Sequence, residues 1–275
     1  MPDLNYEVNR TPLDAAHWDV VALEALNLRC IVGIHPDERI QPQPLEVEVK
    51  LFLHRRPGRF GESLEDSVDY GYVAGDIRFL LEHGRFRLLE TAAEAVCATI
   101  LGPPAPDRPA CRPSAMEVTL RKPLALGGAA LPVISIVRWS DECVYGVEHN
   151  AFGRVDVLHE SDDCGVYRLR IAPQDEIPPH HHEIMAEAEL VMSDGLLLQG
   201  VPVGAGLGHV WPKGFIHAYR NSTAEERSIL CINRPRFIPS DEVLDRPDAL
   251  LGPVHDFRKR YFGLPQPEDF PTPAR

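Results

Sequence analysis

Histidines in the second half of the chain offer the plainest chemistry. Pro178-Pro179-His180-His181-His182 sets His180 and His182 two apart, so on a strand both rings leave by one face. Glu187 follows after a short excursion. A second group, Gly206, Pro212-Lys213-Gly214, His217 and Asn221, brings another imidazole. Three imidazoles and one carboxylate on adjacent strands make an open site for a divalent first-row metal; iron, manganese, zinc and nickel all suit it. A histidine triplet can also be an incidental solvated tract, and Pro-x-Gly a plain turn. In the first half, Phe86–Ala93 leads into a pattern with Glu90 in its first turn. A carboxylate there is favoured by the helix dipole and partly desolvated by the leucines beside it. It could accept from a flat ligand with paired N–H donors. Taken alone, such a glutamate more often caps and solvates its helix.

These residues need elements to hold them. Leu88, Leu89, Ala92, Ala93, Val96, Cys97 and Ile100 recur at threes and fours, an amphipathic helix with a packed face. Another helix follows Asp69, with Tyr72, Val73, Ile77, Leu80 and Leu81 inward. Strands are expected over Leu26–Val32, Leu45–Leu53, Met116–Arg121 and Pro132–Trp139, giving the order strand, strand, helix, helix, strand, strand. Beyond Asn150 come short strands between Gly, Pro and Asp turns: Arg154–Leu158, Gly165–Ile171, Ala186–Met192, Leu196–Gly200, Phe215–Tyr219 and Ser228–Asn233. Such spacing suggests an antiparallel sandwich or barrel. The expected divisions are an N-terminal arm (1–18), an α+β domain (19–140), a polar linker (141–150), an all-β domain (151–240) and a tail (241–275). The tail is expected to carry a short helix over Asp248–Phe262, docked by Val254, Phe257 and Tyr261.

The 275 residues suffice for two domains of ordinary size, each with its own core. A net charge of -13 argues against nucleic acid as a partner. No stretch reads as a signal peptide or a membrane span, so no membrane partner is expected. The six cysteines are scattered, with no C-x-x-C pair, which suits buried free thiols and a cytoplasmic location.

In the first half, Gly33-Ile34-His35 with Glu38, Asp69-Tyr70-Gly71, Leu88-Leu89-Glu90 and Thr119-Leu120-Arg121-Lys122-Pro123 stand in order. Together they resemble the dihydroneopterin aldolase family, over about Asp19 to Arg138. The resemblance implies an α+β tunnelling fold (β-β-α-α-β-β) and retro-aldol cleavage of 7,8-dihydroneopterin, in folate biosynthesis, to 6-hydroxymethyl-7,8-dihydropterin and glycolaldehyde. It implies no cofactor in this half. It makes Lys122 the acid/base group, Tyr70 a proton relay and Glu38 the group that orients Lys122. Glu90 would grip the pterin's amino edge, helped by backbone near Leu89 and Val68. The family's site lies between subunits of a tetramer or octamer, so a homo-oligomer with a small pterin substrate is expected. The same residues can support 2′-epimerisation.

The histidine-bearing pieces resemble the paired motifs of the cupin family, a double-stranded β-helix or jelly roll. The second piece matches throughout; in the first, Gly195 falls one residue late after Glu187. This resemblance implies metal ligation by His180, His182, Glu187 and His217. His181, Glu183, Met185 and Trp211 are candidates to flank the pocket. One alternative is a metal-dependent cupin oxygenase or isomerase, with the first half serving assembly.

Overall fold

The computed structural model describes residues 13, 17–54, 62–108, 111–246, 249, 251–253 and 258–263. Its first half contains β1 (Trp18–Cys30), β2 (Gln43–His54), α1 (Tyr70–Gly84), α2 (Leu89–Ile100), β3 (Ala115–Arg121) and β4 (Val133–Trp139). The four strands form one antiparallel sheet in the order β1-β2-β3-β4, which leaves β1 and β4 as edges. Strand β1 begins at Trp18 rather than Leu26. Ala25 takes φ 54° and the register slips between Leu23 and Leu26, so a bulge divides one long strand. Most of the expected N-terminal arm lies outside the described residues. Its last residue, Trp18, is buried against Trp139, ring centroids 5.6 Å apart.

Both helices start where the sequence places them. Asp69 caps α1, its carboxylate accepting from the Gly71 and Tyr72 amides at 2.9 and 3.1 Å. Ala92, Ala93, Val96 and Cys97 are buried on α2, while Leu88 is exposed and Leu89 and Ile100 are partly covered.

The second half contains β5 (Gly146–Asn150), β6 (Gly153–Glu160), β7 (Gly165–Ile171), β8 (Glu176–His181), β9 (Ala186–Val191) and β10 (Leu196–Leu198). Then come β11 (Val201–Val203), β12 (Leu207–Trp211), β13 (His217–Asn221), β14 (Arg227–Arg234), β15 (Val243–Leu244) and β16 (Arg258–Arg260). They make a seven-stranded sheet, β16-β12-β9-β14-β7-β6-β5, and a five-stranded sheet, β11-β10-β13-β8-β15. Ile171, Val191, Leu196, Leu198, Tyr219 and Ile229 fill a core of their own.

Three expectations are corrected. Residues 146–150 are no linker but an edge strand paired to β6; all five residues are exposed, so no alternation marks it. In the tail, Arg258–Arg260 is a strand paired to β12, not part of a helix, while Val254 and Phe257 lie outside the described residues. Tyr261 does dock, but from beyond a strand: its hydroxyl meets His83 Nε2 at 2.8 Å and Glu82 Oε2 at 2.9 Å.

Nor is the first core closed off from the second half. The faces of α1 and α2 turned from the four-stranded sheet are covered by Leu158, Val166, Leu190, Leu230 and Ile232 of the seven-stranded sheet, one continuous cluster. The helices are thus a shared middle layer. Phe262 presses on α1 at Gly75, where a Cβ would come within 2.4 Å of its ring. The proline-rich loop after α2 is fastened across the same boundary. Arg168 donates to the Pro103 carbonyl at 2.6 Å and Arg170 to that of Pro104 at 3.0 Å. The far end of this loop donates from the Cys111 amide to the Ser67 carbonyl at 2.9 Å, just before Val68–Tyr70.

Candidate active site and candidate metal centre

Lys122 follows directly on β3 and is buried, its amide held by the Pro132 carbonyl at 3.1 Å. Its ammonium donates to the Glu38 carboxylate. Glu38 comes from a one-turn helix, Asp37–Arg39, and its other oxygen accepts from the His35 amide at 2.9 Å. Gly33 makes room for this fold-back. Its φ is +139°, and a Cβ there would lie 2.2 Å from a Glu38 oxygen. The Gly-Ile-His turn is therefore a carboxylate cradle. Burial pushes the Glu38 carboxyl up, but the bonds from Lys122 and the His35 amide outweigh it and leave it below its ordinary value.

That cradle is tied to the segment entering α2. The Gly33 amide donates to the Phe86 carbonyl at 3.1 Å, and Arg39 donates to the carbonyls of Gly33 and Phe86 at 3.2 and 3.0 Å. Glu90 is exposed in the first turn of α2, with Leu89 half-buried beside it. Val68 is buried, and Tyr70, the first residue of α1, is 64% exposed. Within one chain the structure pairs Lys122 with Glu38. No hydrogen bond or ion pair among the described residues joins Tyr70 or Glu90 to that pair.

The second cluster is tighter. One ligand atom from each of His180, His182, Glu187 and His217 lies within 4.8 Å of the others, all four residues buried. Each imidazole is aimed by its Nδ1: His180 onto the Pro178 carbonyl at 2.9 Å, His182 onto Asp241 at 3.0 Å, His217 onto Phe215 at 3.1 Å. These bonds fix the tautomer and turn Nε2 inward. His182 Nε2 and His217 Nε2 approach Glu187 Oε2 to 3.2 and 3.0 Å. Yet none of the three buried atoms has an aligned hydrogen-bond partner, so their inward sides converge on a common point. The other Glu187 oxygen accepts from Asn233 Nδ2 at 3.1 Å and from the Cys231 thiol at 3.3 Å. Burial and neighbouring His217 hold His180 down to about 4. Burial also lowers His182, but Glu187 more than reverses it, to about 9.

His182 sits one residue past β8, and His217 opens β13 opposite His180. That strand starts two residues later than Phe215, because the Pro212–Gly214 turn runs on: the Gly214 amide donates to the His182 carbonyl at 2.8 Å. Of the flanking candidates, Trp211 stacks on His217 at 4.6 Å and donates to buried Glu189 at 2.5 Å. His181 pairs with Asp245, Met185 accepts from the Ile238 amide, and Glu183 only lends its amide to Asp241. Asp241 escaped the sequence reading. Its carboxylate also takes the amides of Ile184 and Met185 while its carbonyl aims His182. Asn233 was missed too, though a polar residue at an inward position of apolar β14 is a visible signal.

All six cysteines are free; four are buried, and burial pushes the thiols of Cys30, Cys97 and Cys164 to about 12. No helix among the described residues is long and apolar enough to cross a membrane.

A family model described as dihydroneopterin aldolase (FolB) matches residues 21–136. A dihydroneopterin aldolase from Streptomyces coelicolor is 35% identical over 83 residues, 30% of this chain and 70% of that protein. The E. coli dihydroneopterin aldolase, solved in complex with neopterin, superposes on 44% of this chain and 98% of its own, with 24% identity and a TM-score of 0.38. A conserved Klebsiella pneumoniae protein with a double-stranded β-helix domain covers 34% of this chain and 80% of its own, at 24% identity and a TM-score of 0.29. With its Gly33–Glu38 cradle and Lys122 inside the matched stretch, the chain belongs through its N-terminal region to the dihydroneopterin aldolase family.

Proposed function

We propose that the first half cleaves 7,8-dihydroneopterin by a retro-aldol reaction. The observation that carries this reading is the buried Lys122 ammonium paired with Glu38 above Gly33. With its own proton first passed to Glu38 or to water, the Lys122 amine takes the proton of the side-chain hydroxyl, directly or through a water. The adjacent C–C bond breaks, glycolaldehyde leaves, and the electron pair passes into the ring C=N bond. The enamine-like carbon is then protonated, giving 6-hydroxymethyl-7,8-dihydropterin. The ring itself is the electron sink. Positioned acid/base groups of this kind contribute about 10²–10⁴-fold. Glu38 orients Lys122, and Glu90 accepts from the pterin's amino and N–H edge in a bidentate, charge-assisted contact. Tyr70 relays protons, and backbone groups near Val68 and Leu89 help hold the pterin's edge.

Exposed Tyr70 and the position of β1 and β4 at the ends of the strand order support a site completed by a neighbouring copy. In the second half, we infer a metal centre held by His180, His182, Glu187 and His217; the orphaned inward atoms of His182, Glu187 and His217 fit a divalent cation. When bound, the cation supplies Lewis acidity to an oxygen ligand in the cavity above it. The chain's own residues aim the imidazoles and exclude bulk water.

Chromatography of 7,8-dihydroneopterin incubated with the full chain tests the aldolase reading. The expected result is the hydroxymethyl product plus glycolaldehyde, with turnover lowered about 10²–10⁴-fold by Lys122→Ala. No conversion, or equal conversion by the variant, refutes it; a 2′-epimer alone redirects it to epimerisation.

A further inference from the structure

A cavity of about 110 Å³, apart from both candidate sites, lies where the start of α1, the end of α2 and the proline-rich loop meet β7 of the second half. It is smaller than the roughly 300 Å³ at which drug-sized ligand sites begin, and has room for a few waters or one tetrahedral oxyanion. Arg108, Arg112 and Arg168 line it, against Asp69 and Asp76. Asp69 is already engaged, since it accepts the first amides of α1. Asp76, 4% exposed, meets Arg108 Nη1 through Oδ2 at 2.7 Å. Arg108 is fixed in turn, its guanidinium 4.5 Å from the Tyr72 ring centroid and 5.3 Å from that of Phe262. Arg112 gives Nε and Nη2 to the Leu101 carbonyl at 3.1 and 2.6 Å.

Arg168 stands apart from its neighbours. It is 7% exposed and pairs with no carboxylate among the described residues, whereas Arg170 on the same strand meets Asp156 and Glu226 at 2.5 and 3.2 Å. Its Nη1 donates to the Pro103 carbonyl, and its Nε is buried without a partner. Burial, with Arg170 and Arg108 close by, holds this guanidinium down to about 10. Asp107, on the same loop, does not line the cavity; it takes the hydroxyls of Ser193 and Ser228 at 2.6 and 2.7 Å. A buried cation is costly unless it is paired, so the lining suits one added anion. It also suits one added donor, because Asp76 Oδ1 is buried without a hydrogen-bond partner. Burial pushes the Asp76 carboxyl up from its ordinary value, and Arg108 and Arg168 oppose that.

An oxyanion that carries a hydroxyl answers both needs. Inorganic phosphate keeps an O–H at neutral pH and above; sulfate has none, and a phosphate monoester, with its second pKa near about 6, has mostly lost its own. We propose that this cavity binds inorganic hydrogen phosphate, its charged oxygens on Arg168 and Arg108 and its hydroxyl on Asp76. Arg168 comes from the second half and the other two from the first, so the bound anion bridges the halves.

Calorimetric titration of the full chain at pH 8, which keeps Asp76 charged, compares phosphate, sulfate and methyl phosphate. Phosphate is expected to bind at least about tenfold tighter than either, the scale of one charge-assisted hydrogen bond. Arg168→Met is expected to weaken phosphate by at least about tenfold. Asp76→Asn, which offers an N–H where the carboxylate could only accept, is expected to shrink the preference over sulfate by about tenfold through gain for sulfate. Should Arg168→Met fail to fold, the preference of the unaltered chain and its response to Asp76→Asn still decide. No phosphate binding, sulfate or methyl phosphate bound as tightly, phosphate binding unmoved by a folded Arg168→Met, or a preference unmoved by Asp76→Asn overturns the proposal.

Discussion

At the residue scale, both candidate sites rest on carboxylates held by neighbours that the sequence places at very different distances. Glu38 is cradled by Gly33 and His35, a few residues away, so its turn is legible as a short motif. The imidazoles of His180, His182 and His217 are legible for a similar reason: strand periodicity and one tight turn carry them to a shared point. Asp241 is not legible, because it reaches the amides of residues 183–185 from 56 to 58 positions away. The electrostatics of the cluster make a prediction. His182 is raised to about 9, so it carries a proton at neutral pH, whereas a ligand imidazole must be neutral. Zinc uptake at pH 7 is therefore expected to release at least one proton, and affinity to rise with pH toward 9. Calorimetry in two buffers of different ionisation enthalpy reads the proton count. His217→Ala is expected to abolish uptake; unchanged stoichiometry would count against the assigned ligands.

At the element scale, α1 is the hinge between the halves. The sequence marks it well, because Asp69 caps it and its apolar residues repeat at threes and fours. It hides what covers the outer face, since β14 and the strand at 258–260 arrive from far along the chain. Edge strand β5 is hidden for the opposite reason: it buries nothing, so it leaves no pattern. Strand β12 carries little pattern, because Gly208 interrupts its five residues where Tyr261 lies too close for a Cβ. His83 reports on this clamp. Burial holds its imidazole down from 6.5 to about 4, while the Tyr261 hydroxyl meets it at 2.8 Å. The unfolded chain thus takes up a proton first. Stability is expected to fall as pH drops from about 6.5 to about 4 and to level off below, by up to about 3 kcal/mol. Urea unfolding of His83→Gln, which does not titrate, should lack that component across the same window. Parallel curves for the two proteins would show that His83 does not carry it.

At the scale of the whole molecule, three layers share one apolar interior: the four-stranded sheet, the helix pair and the seven-stranded sheet. The second half is therefore also a cover for the first. Removing residues 146–275 would bare Tyr72, Gly75 and Phe79 on α1, which pack on Tyr261 and Phe262, leaving apolar surface of the kind soluble monomers avoid. The truncated chain is expected to aggregate or to melt at a lower temperature by scanning calorimetry; an intact first half with unchanged melting would show that the cover is dispensable. Beyond the single chain, β1 and β4 end the strand order of their sheet, and Tyr70 stands exposed.

The most direct test of the aldolase account is a crystal structure of the assembled protein with a pterin bound. The account predicts the ring's amino edge within hydrogen-bonding distance of Glu90, and Lys122 Nζ beside the side chain at the opposite end, with Tyr70 supplied by a neighbour. A pterin bound elsewhere, or Glu90 and Lys122 opening onto separate surfaces in every assembled copy, would contradict it.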